Sequence, residues 1–221
     1  MLNKLVHTVR EAVLGIRSGS VVMIGGFGAV GQPNALIEGL IETGSNELTI
    51  IANNAGSGRE GLARLMELGR IRKIICSFPR QPGSFVFEDL YKRGGIELEI
   101  VPQGTLAERI RAAGAGIGAF YTPTSYGTVL GQGKETRDLN GRMQVLEFAL
   151  HADFALIEAW QADRWGNLSY RGSGRNFNPV MATAAGTCIA QAHRIAELGQ
   201  INPNEIVTPG IYVDRIVQRD A

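Results

Sequence analysis

The sequence is poor in cysteine and histidine, and it has no excess of charge of either sign. Only two cysteines occur among its 221 residues, Cys76 and Cys188, far apart and without CxxC spacing. This excludes a disulfide framework or a zinc ribbon and fits a reducing cytoplasm. The three histidines, His7, His151 and His193, are scattered, and we expect each to be structural or exposed. The formal net charge of +1 argues against binding to nucleic acid or a membrane surface, because such proteins usually carry a basic excess.

The sequence also lacks long hydrophobic runs. Two long stretches contain no charged residue, 18–37 and 112–133, but glycines and prolines interrupt both. A bilayer-spanning helix needs about 20 predominantly apolar residues. Lys4, Arg10 and Glu11 break up the apolar residues at the beginning of the sequence, which excludes a signal peptide. We therefore predict a soluble, cytoplasmic protein.

Glycine is abundant, at 29 of 221 residues, about twice the usual frequency of about 7%. Many of these glycines stand at the ends of apolar runs rather than in a low-complexity tract. Glycine at such places allows a positive φ and close backbone approach. The pattern predicts loops built around a bound group.

The first half of the sequence alternates between short apolar runs and helical spacing. Helical spacing extends from Leu5 to Ile16, and Thr105 with Glu108 is typical of a capping box at the start of a later helix. Strands are predicted at 21–24, 48–52, 73–76 and 96–101, and helices after them at 33–41, 60–68, 84–93 and 105–113. This alternation is typical of a parallel sheet covered by helices on both faces.

The second half changes in character. Asn140-Gly141 lies between the segments 136–139 and 143–148, which predicts a β-hairpin. Two further strands are predicted at 154–159 and 168–170. Since no polar linker separates the halves, we predict a single domain over residues 1–221. Its fold class is α/β, a largely parallel, Rossmann-like sheet with helices on both faces plus an antiparallel extension in the second half.

The loops after the four predicted strands meet at the carboxyl edge of the sheet, where ligands of such folds bind. They are 25–32, 53–58, 77–83 and 102–104, and they contain neither carboxylates nor histidines. Their backbone donors and neutral amides suit an anionic or carbonyl-bearing ligand. A metal site would need clustered His, Cys, Asp or Glu, so we predict none.

The first of these loops contains Gly26-Phe27-Gly28-Ala29-Val30-Gly31, which matches G-x-G-x-x-G between a strand and a helix. A dinucleotide site also needs an acidic residue at the end of the second strand, where this sequence has Asn53-Asn54. The fingerprint is therefore incomplete, and a tight turn without a ligand stays open. Arg80 either pairs with a ligand carboxylate or is a solvated loop residue. Cys76 has no nearby histidine and is interpreted as an inert buried thiol.

Six segments of the sequence match, in order, the characteristic blocks of one family. They are 22–33, Asn53-Asn54-Ala55-Gly56, Pro102 to Arg109, Phe120-Tyr121-Thr122-Pro123, Asp163 to Leu168, and Arg175-Asn176-Phe177. This series resembles the α-subunit type of the family I CoA-transferases. The resemblance extends over almost the whole chain and is far more specific than a glycine loop.

The resemblance implies transfer of coenzyme A between acids through a covalent glutamyl-CoA thioester. In two-subunit members the nucleophilic glutamate lies in the β subunit within Ser-Glu-x-Gly, and no Ser-Glu pair occurs in this sequence. The resemblance therefore implies that the chain has no catalytic nucleophile of its own and needs a β subunit, as αβ or α2β2. The CoA thioester is a substrate, and no permanently bound cofactor or metal is implied.

The resemblance also implies roles for particular residues. Asn53, Asn54 and Gln103 match positions that approach the substrate carboxylate or the thioester oxyanion. The loop implied to bind coenzyme A consists of Gly25, Gly26, Phe27, Gly28, Ala29, Val30 and Gly31. Arg80 is expected to hold the distal carboxylate of a dicarboxylic 3-oxoacid.

The segments 76–81 and 134–137 are most similar to family members that use succinyl-CoA as donor and 3-oxoadipate as acceptor. We therefore expect 3-oxoadipate as the acceptor. A succinyl-CoA:acetoacetate transferase is the alternative within the family. A Rossmann-like, nucleotide-binding redox protein and a non-enzymatic CoA-binding partner are the alternatives outside it.

Overall fold

Strands and helices alternate along the first part of the chain in the computed structural model, which describes residues 2–219. The helices are α1 (Val9–Ala12), α2 (Asn34–Thr43), α3 (Gly61–Glu67), α4 (Phe85–Lys92), α5 (Gln103–Gly114) and α6 (Asn178–Ala182). The strands are β1 (Val21–Ile24), β2 (Leu48–Ile51), β3 (Ile71–Cys76), β4 (Glu97–Ile100), β5 (Ala119–Thr122), β6 (Thr136–Leu139), β7 (Arg142–Phe148), β8 (Ala152–Asp163), β9 (Leu168–Ser169), β10 (Ala185–Ala196) and β11 (Arg215–Gln218). The four predicted strands from β1 to β4, and the helix after each, are all present.

Most strands join one large sheet in the order β11-β10-β8-β1-β2-β3-β4, and β9 pairs with β8. All neighbours along this order are parallel, whereas β9 is antiparallel to β8. A second, antiparallel sheet has the order β5-β7-β6. The predicted fold class is confirmed. The antiparallel extension occupies residues 119–148, after which β8, β10 and β11 return to the parallel sheet.

Apolar side chains cover both faces of the large sheet. On β1, Val22 and Ile24 belong to a buried cluster that includes Leu40 of α2, whereas Met23 belongs to a second cluster that includes Ile110 of α5. Successive side chains of a strand point to opposite faces of its sheet. A strand with helices on both faces therefore favours apolar residues at successive positions. This explains why β1 is an unbroken apolar run.

The first helix is shorter than predicted. Only α1 is helical, and it begins where the Thr8 hydroxyl accepts a hydrogen bond from the Glu11 N–H at 3.1 Å. Leu5 forms a parallel bridge with Ile216 instead of joining the helix. The segment 4–6 thus pairs with the edge of the large sheet, and the prediction of a helix from Leu5 onward is wrong.

The predicted capping box of α5 is also wrong. The helix begins at Gln103, directly after Pro102, so Thr105 and Glu108 lie inside it. The Thr105 hydroxyl is buried and has no hydrogen-bond partner within the described residues. A proline before the first turn fixes the start of this helix without a side-chain cap.

The predicted hairpin is confirmed. Asn140 and Gly141 have φ values of 56° and 78°, as a two-residue type I′ turn requires. The turn joins β6 and β7, which pair from Leu139 with Arg142 to Thr136 with Val145.

One side chain connects the small sheet to the large one. The Arg109 Nε of α5 donates to the Phe148 carbonyl at 2.8 Å, and its Nη1 contacts Glu99 of β4 at 3.2 Å. The same guanidinium lies 4.0 Å from Glu147, whose side chain is 3% exposed and also pairs with Lys134. Arg109 therefore holds β7 against β4 and α5.

The sequence patterns predict no element at 185–196, where the structure has β10. This strand lies between β8 and β11 and pairs with β8 along almost its whole length. Among residues 2–219, no helix has the length and apolar character needed to cross a membrane. The same part of the chain contains no group of His, Cys, Asp or Glu arranged to hold a metal ion.

Candidate functional site

The large sheet has a switch point between β1 and β8. From β1 the chain proceeds outward through β2, β3 and β4, and it later returns to place β8 on the other side of β1. In sheets of this kind, ligands bind beyond the carboxyl ends of the strands at such a point. The loop after β1, residues 25–32, lies there and is called the glycine loop below.

The outermost part of the glycine loop, residues 27–30, is a small apolar tip. Phe27 and Val30 exchange backbone hydrogen bonds of 3.0 and 3.2 Å, so Gly28 and Ala29 form a two-residue turn. Gly28 has a φ of 62°, which favours glycine. The side chains of Phe27 and Val30 are half exposed. The N–H groups of Gly28 and Ala29 make no hydrogen bond within residues 2–219, so they are free to bind a ligand oxygen.

Asn176 holds the middle of the glycine loop. Its Oδ1 accepts from the Gly26 N–H at 3.1 Å, and its Nδ2 donates to the Val30 carbonyl at 3.0 Å and the Ser173 carbonyl at 2.9 Å. The segment between β9 and α6 therefore lies against the loop. The sequence patterns placed Asn176 in a family block but assigned it no role.

Asn178 holds the end of the same loop. Its Nδ2 donates to the Gly31 carbonyl at 3.0 Å, and its Oδ1 accepts from the Glu158 N–H of β8 at 3.0 Å. A Cβ added to Gly25 would lie 1.8 Å from this Oδ1, and one added to Gly31 would lie 2.6 Å from the Gly174 carbonyl oxygen. The glycines at 25 and 31 are thus required by packing within the chain, which leaves the tip at 27–30 as the part that faces outward.

The start of α2 is occupied by a side chain of the protein itself. The Gln191 Oε1 of β10 accepts from the N–H groups of Ala35 at 3.0 Å and Leu36 at 3.3 Å. Its Nε2 donates to the Glu158 carboxylate at 2.7 Å. In a dinucleotide-binding fold the pyrophosphate occupies this helix N-terminus. The arrangement therefore argues against the nucleotide-binding redox alternative.

Sequence reasoning missed both Glu158 and Gln191. Each interrupts an apolar strand segment, at 154–159 and 188–192, and that interruption was the available signal. Glu158 also lies 3.3 Å from His193 Nε2. A polar side chain inside a buried parallel strand needs a hydrogen-bond partner. Here Glu158 of β8 and Gln191 of β10 are partners of each other.

Asn53 and Gln103, predicted to act together on the substrate, do meet. Gln103 Nε2 donates to Asn53 Oδ1 at 2.7 Å, and the Ser77 hydroxyl donates to the same oxygen at 2.7 Å. Asn53 is buried, and its Nδ2 has no hydrogen-bond partner within residues 2–219. Asn54, also buried, donates from its Nδ2 to Gln81 Oε1 at 3.2 Å. The two asparagines thus differ, because only Asn53 keeps its amide nitrogen free.

A groove of about 310 Å³ lies between the tip of the glycine loop and the start of α5. It brings part of the predicted loop together with one of the predicted amides. Its lining is mostly apolar and consists of Phe27, Gln103, Gly104, Ala107, Asn176, Phe177 and Val180. This groove therefore offers an apolar surface with two amide side chains.

Arg80 lies outside the lining of the groove. It is exposed in the loop after β3, and it makes no ion pair or hydrogen bond within residues 2–219. The loop itself lies beside the site, because Phe78 forms a bridge with Asn54. The guanidinium is at the predicted edge of the sheet and is free to meet a ligand.

Neither cysteine has the features of a nucleophile. Burial raises the pKa of the Cys76 thiol to about 12, and this effect outweighs a hydrogen bond from the Phe78 backbone, which lowers it. Burial also raises the pKa of Cys188, and the neighbouring charge of Asp214 adds to this effect. Both thiols are protonated at neutral pH, which agrees with the interpretation of Cys76 as inert.

Comparison with known proteins gives consistent matches. The family model described as Coenzyme A transferase matches residues 6–219. The chain is 60% identical to the A subunit of 3-oxoadipate CoA-transferase from Pseudomonas putida over 217 residues, which cover 98% of this chain and 94% of that protein. It is 51% identical to the A subunit of succinyl-CoA:3-ketoacid coenzyme A transferase from Xanthomonas campestris pv. campestris, covering 91% of this chain and 83% of that protein.

A solved structure with the same fold is an acyl-CoA transferase from E. coli O157:H7, crystallised as a thioester complex with CoA. The TM-score is 0.85 at 20% sequence identity, and the match covers 99% of this chain and 47% of that one. The chain thus spans about half the length of that protein, and the likeness concerns the fold alone. The family model and the two relatives decide the assignment: this chain belongs to the Coenzyme A transferase family.

Proposed function

We propose that this chain is the single-domain α subunit of a two-subunit CoA-transferase that moves coenzyme A from succinyl-CoA to 3-oxoadipate. The observation that carries the proposal is the groove between Phe27 and Gln103, whose lining offers two amide side chains but no carboxylate. The name of the P. putida relative supports the choice of acceptor. The free thiols of Cys76 and Cys188 support a cytoplasmic location.

The donors at the site suit a developing oxyanion. Asn53 has a free amide nitrogen, and Gln103, bound to Asn53 Oδ1, fixes its orientation from the wall of the groove. Gly28 and Ala29 add two free N–H groups at the tip of the glycine loop. Fixed donors of this kind stabilise negative charge without reorganisation. Because they are neutral, they leave a nearby carboxylate nucleophile fully charged.

The nucleophile is assigned to the partner. The family resemblance implies a glutamate on a β subunit that carries the acyl-enzyme thioester, and this chain contains no Ser-Glu pair. The glycine loop, Gly25 to Gly31, then contacts the CoA thioester, with its tip as the contacting part. Phe27, Val30 and Phe78 are half exposed in the loops after β1 and β3, and the β subunit would cover them. Such closure excludes water, which would otherwise hydrolyse the intermediate.

Arg80 is the residue that distinguishes the two acceptors. A guanidinium binds a carboxylate through paired, charge-assisted hydrogen bonds, and 3-oxoadipate has a distal carboxylate that acetoacetate lacks. The free state of Arg80 supports this role. Acetoacetate is the second candidate acceptor, because it too is a 3-ketoacid, the class for which the X. campestris relative is named.

The test is reconstitution of the pair. This chain and a β subunit that contains Ser-Glu-x-Gly are co-expressed, purified as a complex and assayed with succinyl-CoA and each acceptor; each chain alone is the control. We expect transfer only with the complex and a higher kcat/KM for 3-oxoadipate. An intact complex without transfer to either acid would contradict the proposed function, and a preference for acetoacetate would select the second candidate.

A further inference from the structure

Asn178 is a fully buried polar side chain at the switch point, with an exposed fraction of 0%. Its Oδ1 accepts from the Glu158 N–H, and its Nδ2 donates to the carbonyls of Gly31 and Gly174 at 3.0 and 2.9 Å. One partner is an obligate donor and two are obligate acceptors. The orientation of the amide is therefore dictated by its surroundings, and an aspartate here would place an acceptor against two carbonyls.

Asn178 also accounts for the glycine at position 25. The three atoms nearest to a Cβ added to Gly25 all belong to Asn178, with Oδ1 at 1.8 Å and Cγ at 2.7 Å. Unlike Gly26, Gly28 and Gly31, Gly25 does not have a positive φ. A left-handed backbone therefore does not explain the glycine at this position, whereas the close approach of the Asn178 side chain does.

We propose that Asn178 is a positioning residue for the transfer reaction: it fixes the glycine loop at Gly25 and Gly31, on either side of the tip, so that the tip faces the groove. This inference rests on the proposed function. A loop rich in glycine has unusual conformational freedom, and its free N–H groups are useful only when they are held in place. Asn178 contacts the loop on both sides of its tip, and it does not itself line the groove, although its Nδ2 lies 3.4 Å from Oδ1 of the lining residue Asn176.

The test is a double-mutant cycle of Gly25→Ala, Asn178→Ala and the pair together, each in complex with the β subunit. The control is Asn204→Ala, because Asn204 is exposed and its side chain makes no hydrogen bond within residues 2–219. For each complex, kcat and KM are measured for both substrates. Hydrogen exchange of the amides at 25–32 is measured on the same samples, and size-exclusion chromatography confirms assembly.

We expect Asn178→Ala to lower kcat by about 10- to 100-fold, the typical effect of a displaced catalytic group, with a much smaller change in KM. Exchange at 25–32 should become faster, while other segments keep their wild-type rates. Gly25→Ala alone should also lower kcat, since its Cβ collides with Asn178. The double variant should be no worse than Asn178→Ala alone, because the obstructing side chain is gone.

An assembled Asn178→Ala complex with wild-type kcat, or with unchanged exchange at 25–32, would overturn the proposal. Additive losses in the double variant would do the same, because they would show that Gly25 is needed for another reason. Hydrogen exchange at 25–32 can be measured whether or not the complex is active. If the wild-type complex transfers no coenzyme A, the proposed function fails and the role in transfer fails with it, while faster exchange in Asn178→Ala would still show that this residue holds the loop.

Discussion

Gln191 Nε2 donates to the Glu158 carboxylate across neighbouring strands at 2.7 Å, and this bond determines which end of the Gln191 amide faces α2. With the nitrogen committed to Glu158, the oxygen is directed to the N–H groups of Ala35 and Leu36. The helix after the glycine loop is thus capped by a strand at the far side of the switch point. A phosphate at this helix start would have to displace the protein's own hydrogen bonds.

Replacing Gln191 should therefore destabilise the fold. In Gln191→Ala, the buried Leu36 N–H, the partly buried Ala35 N–H and the Glu158 carboxylate lose a partner, and a group left buried and unsatisfied costs about 1–3 kcal/mol. We expect the melting temperature of the complex to fall by several degrees, as measured by circular dichroism. Gln200→Ala, at an exposed glutamine, is the control, and equal melting temperatures for the two variants would contradict the role of Gln191.

Arg80→Ala should change the choice of acceptor. A hydrogen bond to a charged group contributes about 1.5–3 kcal/mol, so kcat/KM for 3-oxoadipate should fall by about 10- to 100-fold, with little change for acetoacetate. Arg93→Ala, at another exposed arginine, is the control. If both acceptors lose activity by the same factor, Arg80 does not bind the distal carboxylate.

Arg109→Ala should loosen the small sheet. Removing the guanidinium leaves the buried Glu147 with Lys134 alone, and breaking a buried ion pair costs about 3–5 kcal/mol. Limited proteolysis should then cut within residues 119–148 faster than in the wild type. Arg111→Ala is the matched control on the same helix, because its pair with Glu108 is exposed. Equal cleavage of both variants would contradict the connecting role of Arg109.

Glu99 should contribute to the loss of folding stability at acid pH. Burial alone would raise the pKa of its carboxyl, but the hydrogen bonds and charges of Lys73 and Arg109 outweigh it and hold the pKa below 4.5. A lowered pKa stabilises the fold above the ordinary value, and this contribution is lost as the pH falls below about 4.5 toward the folded-state pKa. We therefore expect Glu99→Gln to be less stable than the wild type at pH 7.

The measurement is the free energy of unfolding across the acid range for the wild type, Glu99→Gln and Glu97→Gln. Glu97 lies on the same strand but is more exposed, with a side chain 60% accessible, so its replacement should have little effect. The gap between Glu99→Gln and the wild type should narrow as the pH falls. A gap that is constant with pH would show that Glu99 acts by packing rather than by charge.

The thiols should be unreactive in the native protein. Because burial raises the pKa of Cys76 to about 12, almost no thiolate exists at pH 8, and Cys188 is likewise buried. Iodoacetamide should modify neither cysteine of the folded complex and both after denaturation, as read by mass spectrometry. Rapid alkylation of native Cys76 would contradict its assignment as inert.

The fold of the first half could be predicted because its strands carry their own signal. Buried parallel strands are short apolar runs, and Val21–Ile24 has the predicted bounds. The signal was weaker for β10, whose residues from Ala185 to Ala196 are mostly small or polar. Its buried polar residue Gln191 is satisfied by a hydrogen bond to Glu158 on the neighbouring strand. Because these two residues are far apart in the sequence, a local pattern could not predict this contact.

In the candidate site, too, some residues could be predicted from local sequence patterns, whereas others depend on contacts between distant parts of the chain. The glycine loop was visible as a motif, and Asn53 and Gln103 were visible as members of family blocks. The residues that give the loop its shape, Asn176 and Asn178, lie about 150 residues further along the chain. Sequence spacing alone could not predict that packing against Asn178 is what requires glycine at position 25.

The position of β1 has a consequence for folding during synthesis on the ribosome. Its Val21 N–H is hydrogen bonded to Asp153, 132 residues later, so β1 leaves the ribosome long before β8 exists. During that interval an entirely apolar strand, central in the finished sheet, has one open edge that another nascent chain can pair with. A strand at the centre of the mature sheet therefore keeps one edge unpaired until the second half of the chain has been synthesised.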